Sequence, residues 1–510
     1  MKTRKLLAMA LSLVVALVMA APALADGADA TSYKLTDEPV TLTLVRLDNS
    51  NQPMQLDNKV IAAIEEATGV TLEIEAIAGS DFTTKTEMLI ATGSMPDIMY
   101  DCYYVSNYAS TGIYPDFSQY MDTTMPNIKA LFDEYPDMYR LCIDGALYQI
   151  PVMGRYVYRM GRSPQIRQDL LEETGLGTPT NFDELFDVLS AIKANHPDMY
   201  PIANRNGTGN LFTCYAYSFG AGDGVYYEPK TQQYQYGALS EEFITCLSWL
   251  SKCYSAGLLD PDYAVCTSTQ WQERLSSGQS CFFFDNPSFA TNFNATLATD
   301  SDTARFAPME VPASGDIQRG LFYNKHDLGA TVASADTQYP EIVADFIDFL
   351  YSDYGCDLTN FGIEGETFEY NSDGEPEILD SAVADYMSAS DPMRGFFGAY
   401  ILGKLGMARY IDEHDQDKFI TEEAANWYNT WENWTFMDEP VLDPAFTSDE
   451  SEELAELKTS VSDILTSNYD AFIMGQRDCA EWTQVQDQIR SDAERICEIY
   501  NAAAARTAVE

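Results

Sequence analysis

The sequence predicts an α/β protein of two lobes with a helical C-terminal region. Strands and helices alternate with short links between residues 40 and 100, a pattern that indicates a parallel sheet with right-handed crossovers. The chain has 510 residues, more than a single hydrophobic core usually organises. Its last third has mostly helical periodicity and ends in a long helical pattern over 482–505.

The first 25 residues have the pattern of a secretory signal peptide. Lys2, Arg4 and Lys5 precede an apolar run over 6–20, and Ala23-Leu24-Ala25 is a small-x-small cleavage site, so cleavage is expected after Ala25. The first cysteine is Cys102, so the lipid-anchor cysteine of many bacterial binding proteins is missing near that site. No later apolar run is long enough to cross a bilayer. We therefore expect a secreted or cell-surface protein, extracellular or periplasmic, without direct membrane insertion.

The chain is strongly acidic throughout. Its formal charge of -49 becomes -52 once Lys2, Arg4 and Lys5 are removed. Such a surface repels nucleic acid and anionic lipid, so neither is an expected partner. Ten cysteines occur without a CxxC pair or zinc-ligand spacing, which excludes a disulfide scaffold and leaves individual pairings open.

The first lobe is predicted from the alternating elements. Ligands of open α/β sheets bind beyond the carboxyl ends of the strands. Asn51 and Gln52 follow the first strand, and Asp101 and Tyr103 follow the third, so these four are predicted ligand-binding residues. The predicted elements are a strand over 40–45, a helix over 56–67, a strand over 70–77, a helix over 82–91 and a strand over 96–100.

The stretch 144–171 is predicted to lead from one lobe into the other. A strand over 147–152 comes first, and Ser163-Pro164 has the pattern of an N-cap and first-turn proline for a helix running to about residue 173. Guanidinium groups and aromatic rings between them suit an oxygen-rich ligand, and Arg155 and Tyr156 are predicted to contact it. The alternative is a packed linker whose arginines are solvated or paired with carboxylates. The cluster comprises Arg155, Tyr156, Tyr158, Arg159 and Arg162.

The second lobe is predicted from 163 onward. Thr180 and Asp183 form a plausible capping box for a helix whose buried face runs from Phe182 to Ile192. Residues 207–224 are predicted to be loop-rich, and the glycines at 220–224 lack the strand–helix context of a phosphate loop. A buried strand over 281–285 places Asp285 and Asn286 at its end, and both are predicted ligand contacts. Further predictions are helices over 243–254, 269–275 and 342–351 and a hairpin turn over 371–374.

Tryptophans in the C-terminal third are the candidate stacking rings. Trp427, Trp431 and Trp434 are spaced i, i+4, i+7, with asparagines and a glutamate interleaved, and Trp431 and Trp434 are predicted to stack on a ligand. The same spacing is typical of a helix that buries an apolar stripe, and that interpretation stays open. Trp271 is a weaker candidate, because its helical pattern requires a buried residue there.

Several stretches, in order over nearly the whole mature chain, resemble motifs of one family. That family is the extracellular solute-binding proteins of family 1, the substrate-capturing subunits of sugar-type ABC importers. The stretches are Ala91–Ile98 (ATGSMPDI), Asp144–Pro151 (DGALYQIP), Ile166–Leu171 (IRQDLL), Gly175–Thr180 (GLGTPT), Gly257–Pro261 (GLLDP), Asn360–Gly365 (NFGIEG) and Phe472–Gly475 (FIMG).

The resemblance implies a two-lobe periplasmic-binding-protein-like fold of type II. Three hinge crossings join the lobes, and the cleft closes on a ligand, here an oligosaccharide delivered to two ABC permease subunits by a monomeric binding protein. The expected divisions are 1–25 as signal peptide, 38–153 plus 307–363 as lobe one, 154–162 as the first crossing, and 163–305 plus 364–510 as lobe two.

No cofactor, metal or catalytic residue is predicted. Several relatives carry a calcium loop after the helix that begins near 180, but residues 195–207 here lack its acidic spacing. A secreted carbohydrate-active enzyme and a cell-surface glycan adhesin remain the alternatives. The sequence lacks HExxH and GxSxG motifs, yet carboxylate pairs are too plentiful to exclude a glycosidase-like acid pair by counting.

Overall fold

The computed structural model describes residues 33–48, 55–102, 105–154, 161–324, 329–386, 392–400, 410–412, 414–420 and 422–506. The predicted signal peptide lies outside these ranges and stays a prediction. So does most of the predicted first crossing.

The first part of the chain follows the predicted alternation of strands and helices. The first helix begins at Lys59, three residues later than predicted, because the Asn58 side chain accepts a hydrogen bond from the Ile61 backbone N–H and so caps the helix there. The elements are β1 (Val40–Asp48), α1 (Lys59–Thr68), β2 (Val70–Ala78), α2 (Phe82–Ala91), β3 (Ile98–Met99), α3 (Val105–Tyr108), α4 (Pro126–Glu134), β4 (Ile150–Pro151) and β5 (Met153–Gly154).

The middle of the chain contains more helix than predicted. Residues 209–219, expected to be loop, form a helix because Leu211, Phe212, Tyr215 and Phe219 give it a buried face. The elements are β6 (Ser163–Arg167), α5 (Gln168–Thr174), α6 (Phe182–Asn195), α7 (Gly209–Phe219), β7 (Val225–Glu228), β8 (Gln233–Tyr236), α8 (Glu241–Ser255), α9 (Ser268–Ser276), β9 (Phe282–Asp285), α10 (Ser288–Leu297) and β10 (Phe306–Pro308).

The remaining elements include the two longest helices. The predicted hairpin turn is confirmed, since β13 and β14 pair antiparallel on either side of it. The elements are β11 (Gly320–Leu321), β12 (Ala330–Ala333), α11 (Pro340–Phe349), α12 (Asp353–Asn360), β13 (Phe368–Tyr370), β14 (Pro376–Ile378), α13 (Asp380–Val383), α14 (Pro392–Tyr400), β15 (Tyr410–Ile411), α15 (Glu422–Trp431), β16 (Met437–Asp438), α16 (Ser448–Ile473) and α17 (Trp482–Arg506).

Two further local predictions were wrong. Ser163 and Pro164 begin strand β6 rather than a helix, because this segment is buried along its whole length between the antiparallel strands β9 and β10. The helix therefore starts only at Gln168. At α6 the cap is Asn181, whose side chain accepts from the Glu184 N–H, while the Glu184 carboxylate accepts from Thr180.

The first lobe is organised by a five-stranded sheet with the order β2-β1-β3-β12-β4. The strands β1, β2 and β3 are parallel, as predicted, and β12 returns antiparallel between β3 and β4. Apolar residues of β1, α1, α4 and α11 form one buried core with the sheet. The carboxyl ends of β1 and β3 thus share one edge of the lobe.

The second lobe is organised by a three-stranded sheet with the order β10-β6-β9. Its main core joins α6, α7 and α8 to the C-terminal helices α16 and α17. Trp482, at the start of α17, is fully buried: its ring stacks on Tyr469 and Phe243, and its Nε1 donates to the Ala238 carbonyl at 3.0 Å.

Contacts between elements depart from the expected lobe boundaries at two places. Phe306–Pro308 pairs with β6 of the second lobe, whereas the expected first-lobe segment began at 307. Glu366 and Gly398, expected in the second lobe, contact the first: Lys59 pairs with Glu366 at 2.5 Å, and the Gln55 N–H donates to the Gly398 carbonyl. The rest of the expected division stays a prediction.

Two glycines lie near the ends of the predicted first crossing, Gly154 as its first residue and Gly161 as its last but one. A Cβ on Gly154 would lie 2.3 Å from the Ile411 carbonyl oxygen, and one on Gly161 would lie 1.8 Å from that of Leu321. Strand β5, which contains Gly154, pairs in parallel with β15, and strand β11, which contains Leu321, pairs in parallel with β16. The connecting segments therefore pack backbone against backbone, which only glycine permits.

All ten cysteines are free thiols. In the ranges that the structure describes, no helix is both long and apolar enough to span a membrane.

Candidate functional site

On the first lobe, Asp101 has the features of a ligand-binding residue. It follows β3 at the carboxyl edge of the sheet, with a left-handed backbone (φ 58°) that is unfavourable for a non-glycine residue. The side chain is 5% exposed, and its Oδ2 has no hydrogen-bond partner, like the Oη of Tyr100 beside it. A buried acceptor without a partner is costly, and a ligand hydroxyl would satisfy it.

Arg46 supplies the charge that faces Asp101. Its guanidinium is buried and lies close enough to Asp101 to lower the carboxyl pKa, but burial has the larger effect and leaves the Asp101 pKa raised. This edge therefore combines an acceptor and a cation in a desolvated setting, where hydrogen bonds to a ligand are strong.

On the second lobe, one face of α7 carries polar side chains that the helix does not bury. Asn210, Thr213 and Tyr217, spaced i, i+3, i+7, form what we call the α7 stripe. The Thr213 hydroxyl donates to Asp223, and the Tyr217 hydroxyl donates to Asp438 at 2.7 Å. Each member of the stripe is thus held by a partner and retains further donor or acceptor capacity.

Arg162 is the last residue of the predicted first crossing, and its side chain reaches the start of this stripe. Its Nη1 donates to Asn210 Oδ1 at 2.5 Å and to Cys214 Sγ at 3.1 Å. Burial raises the pKa of the Cys214 thiol to about 12, so the sulfur is neutral at physiological pH. Of the arginines and tyrosines that the sequence grouped at the junction, Arg162 is the one within the described ranges.

Arg319 lies at the other end of the α7 stripe. Its Nη1 donates to Glu228 at 2.7 Å, its Nε lies 3.3 Å from Asp438, and its guanidinium covers the Tyr217 ring at 3.9 Å. The Tyr226 ring meets the Tyr217 ring edge-on. Guanidinium, carboxylate and aromatic groups therefore lie side by side along one surface.

Asp285, predicted as a ligand contact, forms an ion pair with Arg205 of the same lobe. Its two carboxylate oxygens accept from Arg205 Nε and Nη2 at 2.7 and 3.0 Å, and Oδ1 also accepts from the Asn286 N–H. Asn286 uses its side-chain oxygen to accept from the Ser288 N–H. Arg205 lies over both the Trp271 and the Phe289 ring at 4.9 Å, and Trp271 is itself a core residue.

The two candidate tryptophans have different environments. Trp431 is 1% exposed and packs against Tyr428, as the core interpretation expects. Trp434 is half-buried, and its ring stacks on Phe436 at 5.1 Å. A ligand-binding role for either ring stays a prediction, and the exposed face favours Trp434.

Asn51, Gln52, Tyr103, Arg155 and Tyr156 lie outside the described residues, so their predicted roles remain predictions. The α7 stripe was missed, because Gly207 and Gly220 indicated a loop. The apolar pattern of Leu211, Phe212, Tyr215 and Phe219 was the signal that could have revealed it.

A groove between the lobes is lined by α3, residues 140–143 and the segment 442–446, with a volume of about 370 Å³. Leu442 is one of its lining residues, and its carbonyl oxygen accepts hydrogen bonds from Arg140 Nη1 of the first lobe and from Tyr234 Oη of the second. Asp144 of the first lobe accepts from the Ser448 hydroxyl at the start of α16. This segment is therefore attached to both lobes.

Comparison with known families decides what kind of protein this is. The sequence profile of the bacterial extracellular solute-binding proteins matches residues 49–355, more than half of the chain. The chain belongs to this family. The resemblance drawn from the short sequence motifs is thereby confirmed.

Curated members of the family provide two instructive relatives. The fructooligosaccharide ABC transporter substrate-binding protein of Streptococcus pneumoniae is 28% identical over 232 residues, which cover 40% of this chain and 43% of that protein. The polygalacturonan/rhamnogalacturonan-binding protein of Bacillus subtilis is 23% identical over 388 residues, covering 70% of this chain and 72% of that protein. Both relatives are named as binding proteins.

Solved structures of solute-binding proteins confirm the two-lobe fold. An alginate-binding protein crystallised without calcium has a TM-score of 0.78 at 20% identity, covering 93% of this chain and all of that one. The pneumococcal fructooligosaccharide-binding protein in complex with kestose has a TM-score of 0.73 at 18% identity, covering 91% and 100%. Among the residues described for this solute-binding protein, no cluster of three or more histidine, cysteine or acidic side chains could hold a metal ion.

Proposed function

We propose that this solute-binding protein captures an oligosaccharide in the cleft between its lobes and delivers it to an ABC importer. The observation that carries the proposal is the α7 stripe with its partners Arg162, Arg319 and Asp438. Sugars present hydroxyl edges and apolar C–H faces, so their sites combine amides, carboxylates and guanidinium groups with aromatic rings. Tyr217 and the groups beside it supply this combination on one surface.

The first lobe would complete the site. Asp101 would accept a hydrogen bond from a ligand hydroxyl through its free Oδ2, and Trp434 would stack on a sugar face. Asn51, Gln52, Tyr103, Arg155 and Tyr156 are proposed as further contacts from their positions in the sequence. Asp285 and Asn286 would act indirectly, by fixing Arg205 and the turn after β9.

Closure of the lobes would follow from ligand contacts on both sides. A ligand that bridges Asp101 and the α7 stripe favours the closed form by its differential contacts. Export with cleavage after Ala25, a monomeric state and the two permease partners are part of the proposal. The carbohydrate-binding relatives support it.

The test is a thermal-shift screen of the purified protein against neutral and acidic oligosaccharides and peptides, followed by calorimetry on each ligand that stabilises it. Thr213→Val should weaken binding about tenfold, because it removes an exposed hydroxyl of the stripe, while Thr296→Val on α10 serves as the matched control. Binding of a peptide in preference to every sugar would refute the proposal.

Two further measurements separate the alternatives. New products after incubation with the bound sugar would identify an enzyme. Small-angle scattering should show a smaller radius of gyration at saturation, whereas an unchanged profile would indicate a rigid adhesin.

A further inference from the structure

Two of the three arginines beside the α7 stripe, Arg205 and Arg319, are already ion-paired within the protein itself. Arg205 forms a two-pronged ion pair with Asp285, and its remaining Nη1 donates to Ser268 at 3.1 Å. All three nitrogens of this guanidinium are therefore occupied by side chains of the same lobe.

Arg319 is compensated twice. Glu228 accepts from Nη1, and Asp438 lies 3.3 Å from Nε. Nε and Nη2 have no hydrogen-bond partner among the described residues, but both nitrogens are buried, and the arginine side chain is 9% exposed. A ligand carboxylate at this place would have to compete with two fixed carboxylates for one buried cation. Like charges brought together in this way oppose binding.

Arg162 also lies among acidic groups. Asp285 and Asp223 are both close enough to interact electrostatically with its guanidinium. Asp223 is exposed, and its carboxylate accepts a hydrogen bond from the Thr213 hydroxyl. Its hydrogen-bond partners, Asn210 and the Cys214 thiol, are neutral. Around the α7 stripe, four carboxylates outnumber three guanidinium groups. The carboxylates are Asp223, Glu228, Asp285 and Asp438, and the guanidinium groups are those of Arg162, Arg205 and Arg319.

From this charge pattern we infer that the site selects neutral oligosaccharides and rejects uronic-acid oligosaccharides. The inference rests on the proposed carbohydrate-binding function and assigns its substrate class. A uronate is best recognised by a guanidinium fork that is free to bind its carboxylate. Beside the α7 stripe, Arg205 and Arg319 are already ion-paired, and Arg162 lies among carboxylates. Hydroxyl groups, in contrast, bind well to paired carboxylate and guanidinium groups.

The experiment compares uncharged oligosaccharides with acidic ones of the same skeleton. Oligogalacturonides and other oligouronides are each paired with their carboxyl-reduced, neutral counterparts on one glycan array, together with neutral fructans, glucans and mannans. Binding of neutral probes, with at least about tenfold weaker binding of any acidic counterpart, supports the inference. Preferred binding of an oligouronide overturns it and leaves carbohydrate capture standing. Binding of no glycan at all refutes the proposed function, and the inference with it.

Two variants locate the origin of the discrimination. Asp223→Asn should narrow the gap between the acidic and neutral counterparts several-fold, whereas Asp300→Asn, which removes the same charge from an exposed turn, should leave the gap unchanged. Equal effects of the two variants would mean that overall charge and not the cleft discriminates, and would overturn the inference. Oligouronide binding that is lost in Arg155→Gln would also overturn it and would place the decisive cation in the first crossing.

Discussion

Arg140 and Tyr234 belong to different lobes, yet both donate a hydrogen bond to the same acceptor, the carbonyl oxygen of Leu442, each at 3.0 Å. The Leu442 side chain is buried in the core of the first lobe. We therefore expect this peptide group to stay in place if the lobes rotate, because it keeps one hydrogen bond to each lobe.

Tyr234→Phe should remove the second-lobe hydrogen bond to the Leu442 carbonyl oxygen without unfolding the protein. The oxygen of Leu442 retains Arg140, so the expected loss in unfolding free energy is about 1 kcal/mol, and the ligand-free protein should sample a wider range of lobe angles. Urea denaturation and small-angle scattering measure the two effects. Tyr227→Phe, in the neighbouring strand β7, is the control. Equal stability and equal scattering for both variants would show that the shared acceptor is unimportant.

Trp431→Ala and Trp434→Ala should have opposite phenotypes. Trp431 is buried at 1% exposure, so its removal leaves a cavity and should cost about 3–5 kcal/mol of stability. Trp434 exposes part of its ring, and its removal should weaken sugar binding by about 1–3 kcal/mol with little change in melting temperature. Calorimetry and thermal denaturation distinguish the two. An affinity loss confined to Trp431→Ala would reverse the assignment.

Asp357 should make stability depend on pH in the mildly acidic range. Burial, with the charges of Asp353 and Asp412, raises the pKa of Asp357 from 3.8 to about 6, against the hydrogen bond from Tyr370. The folded protein therefore holds a proton that the unfolded chain releases between these pH values, and Asp357 ionisation destabilises the fold as pH rises.

Asp357→Asn removes this contribution. Its stability relative to the wild type should rise by about 1–2 kcal/mol between pH 4 and pH 6.5, as measured by urea unfolding at a series of pH values. Asp300→Asn controls for the loss of one negative charge from an acidic protein. A parallel pH dependence of the wild type and Asp357→Asn would contradict the prediction.

The Arg205–Asp285 pair should be strongly coupled. Arg205→Gln leaves a carboxylate that is 3% exposed without its cation and should destabilise the protein by about 3 kcal/mol. Arg205→Gln combined with Asp285→Asn should cost less than that single variant, because no buried charge remains unpaired. A double-mutant cycle in urea measures the coupling, and additive losses would mean that the two side chains do not depend on each other.

The backbone of the first lobe was predictable because local signals determine it. Alternating apolar residues and Gly69 marked β1, α1 and β2 to within a few residues. The helix predicted to begin at Ser163-Pro164 was wrong, because the N-cap pattern is a local signal. Strand β6 is instead specified by its pairing with two strands more than a hundred residues away in the chain.

The second-lobe side of the site was harder to predict. The position of Asp285 after a buried strand was visible in the sequence, but its partner Arg205 lies eighty residues away. The α7 stripe likewise depends on Asp438, which only the folded chain brings to Tyr217. Pairings between distant segments leave no trace in the periodicity of either one.

Because Trp482 packs against Phe243 and Tyr469, the core of the second lobe can fold completely only after α17 is present. The chain is made from its N-terminus, so the second lobe lacks one wall of its core until α17 has been added. Until then the apolar faces of α7 and α8 stay uncovered and open to aggregation or to chaperones. Partial chains that stop after Met474 should therefore remain protease-sensitive in this lobe, however long they are given to fold.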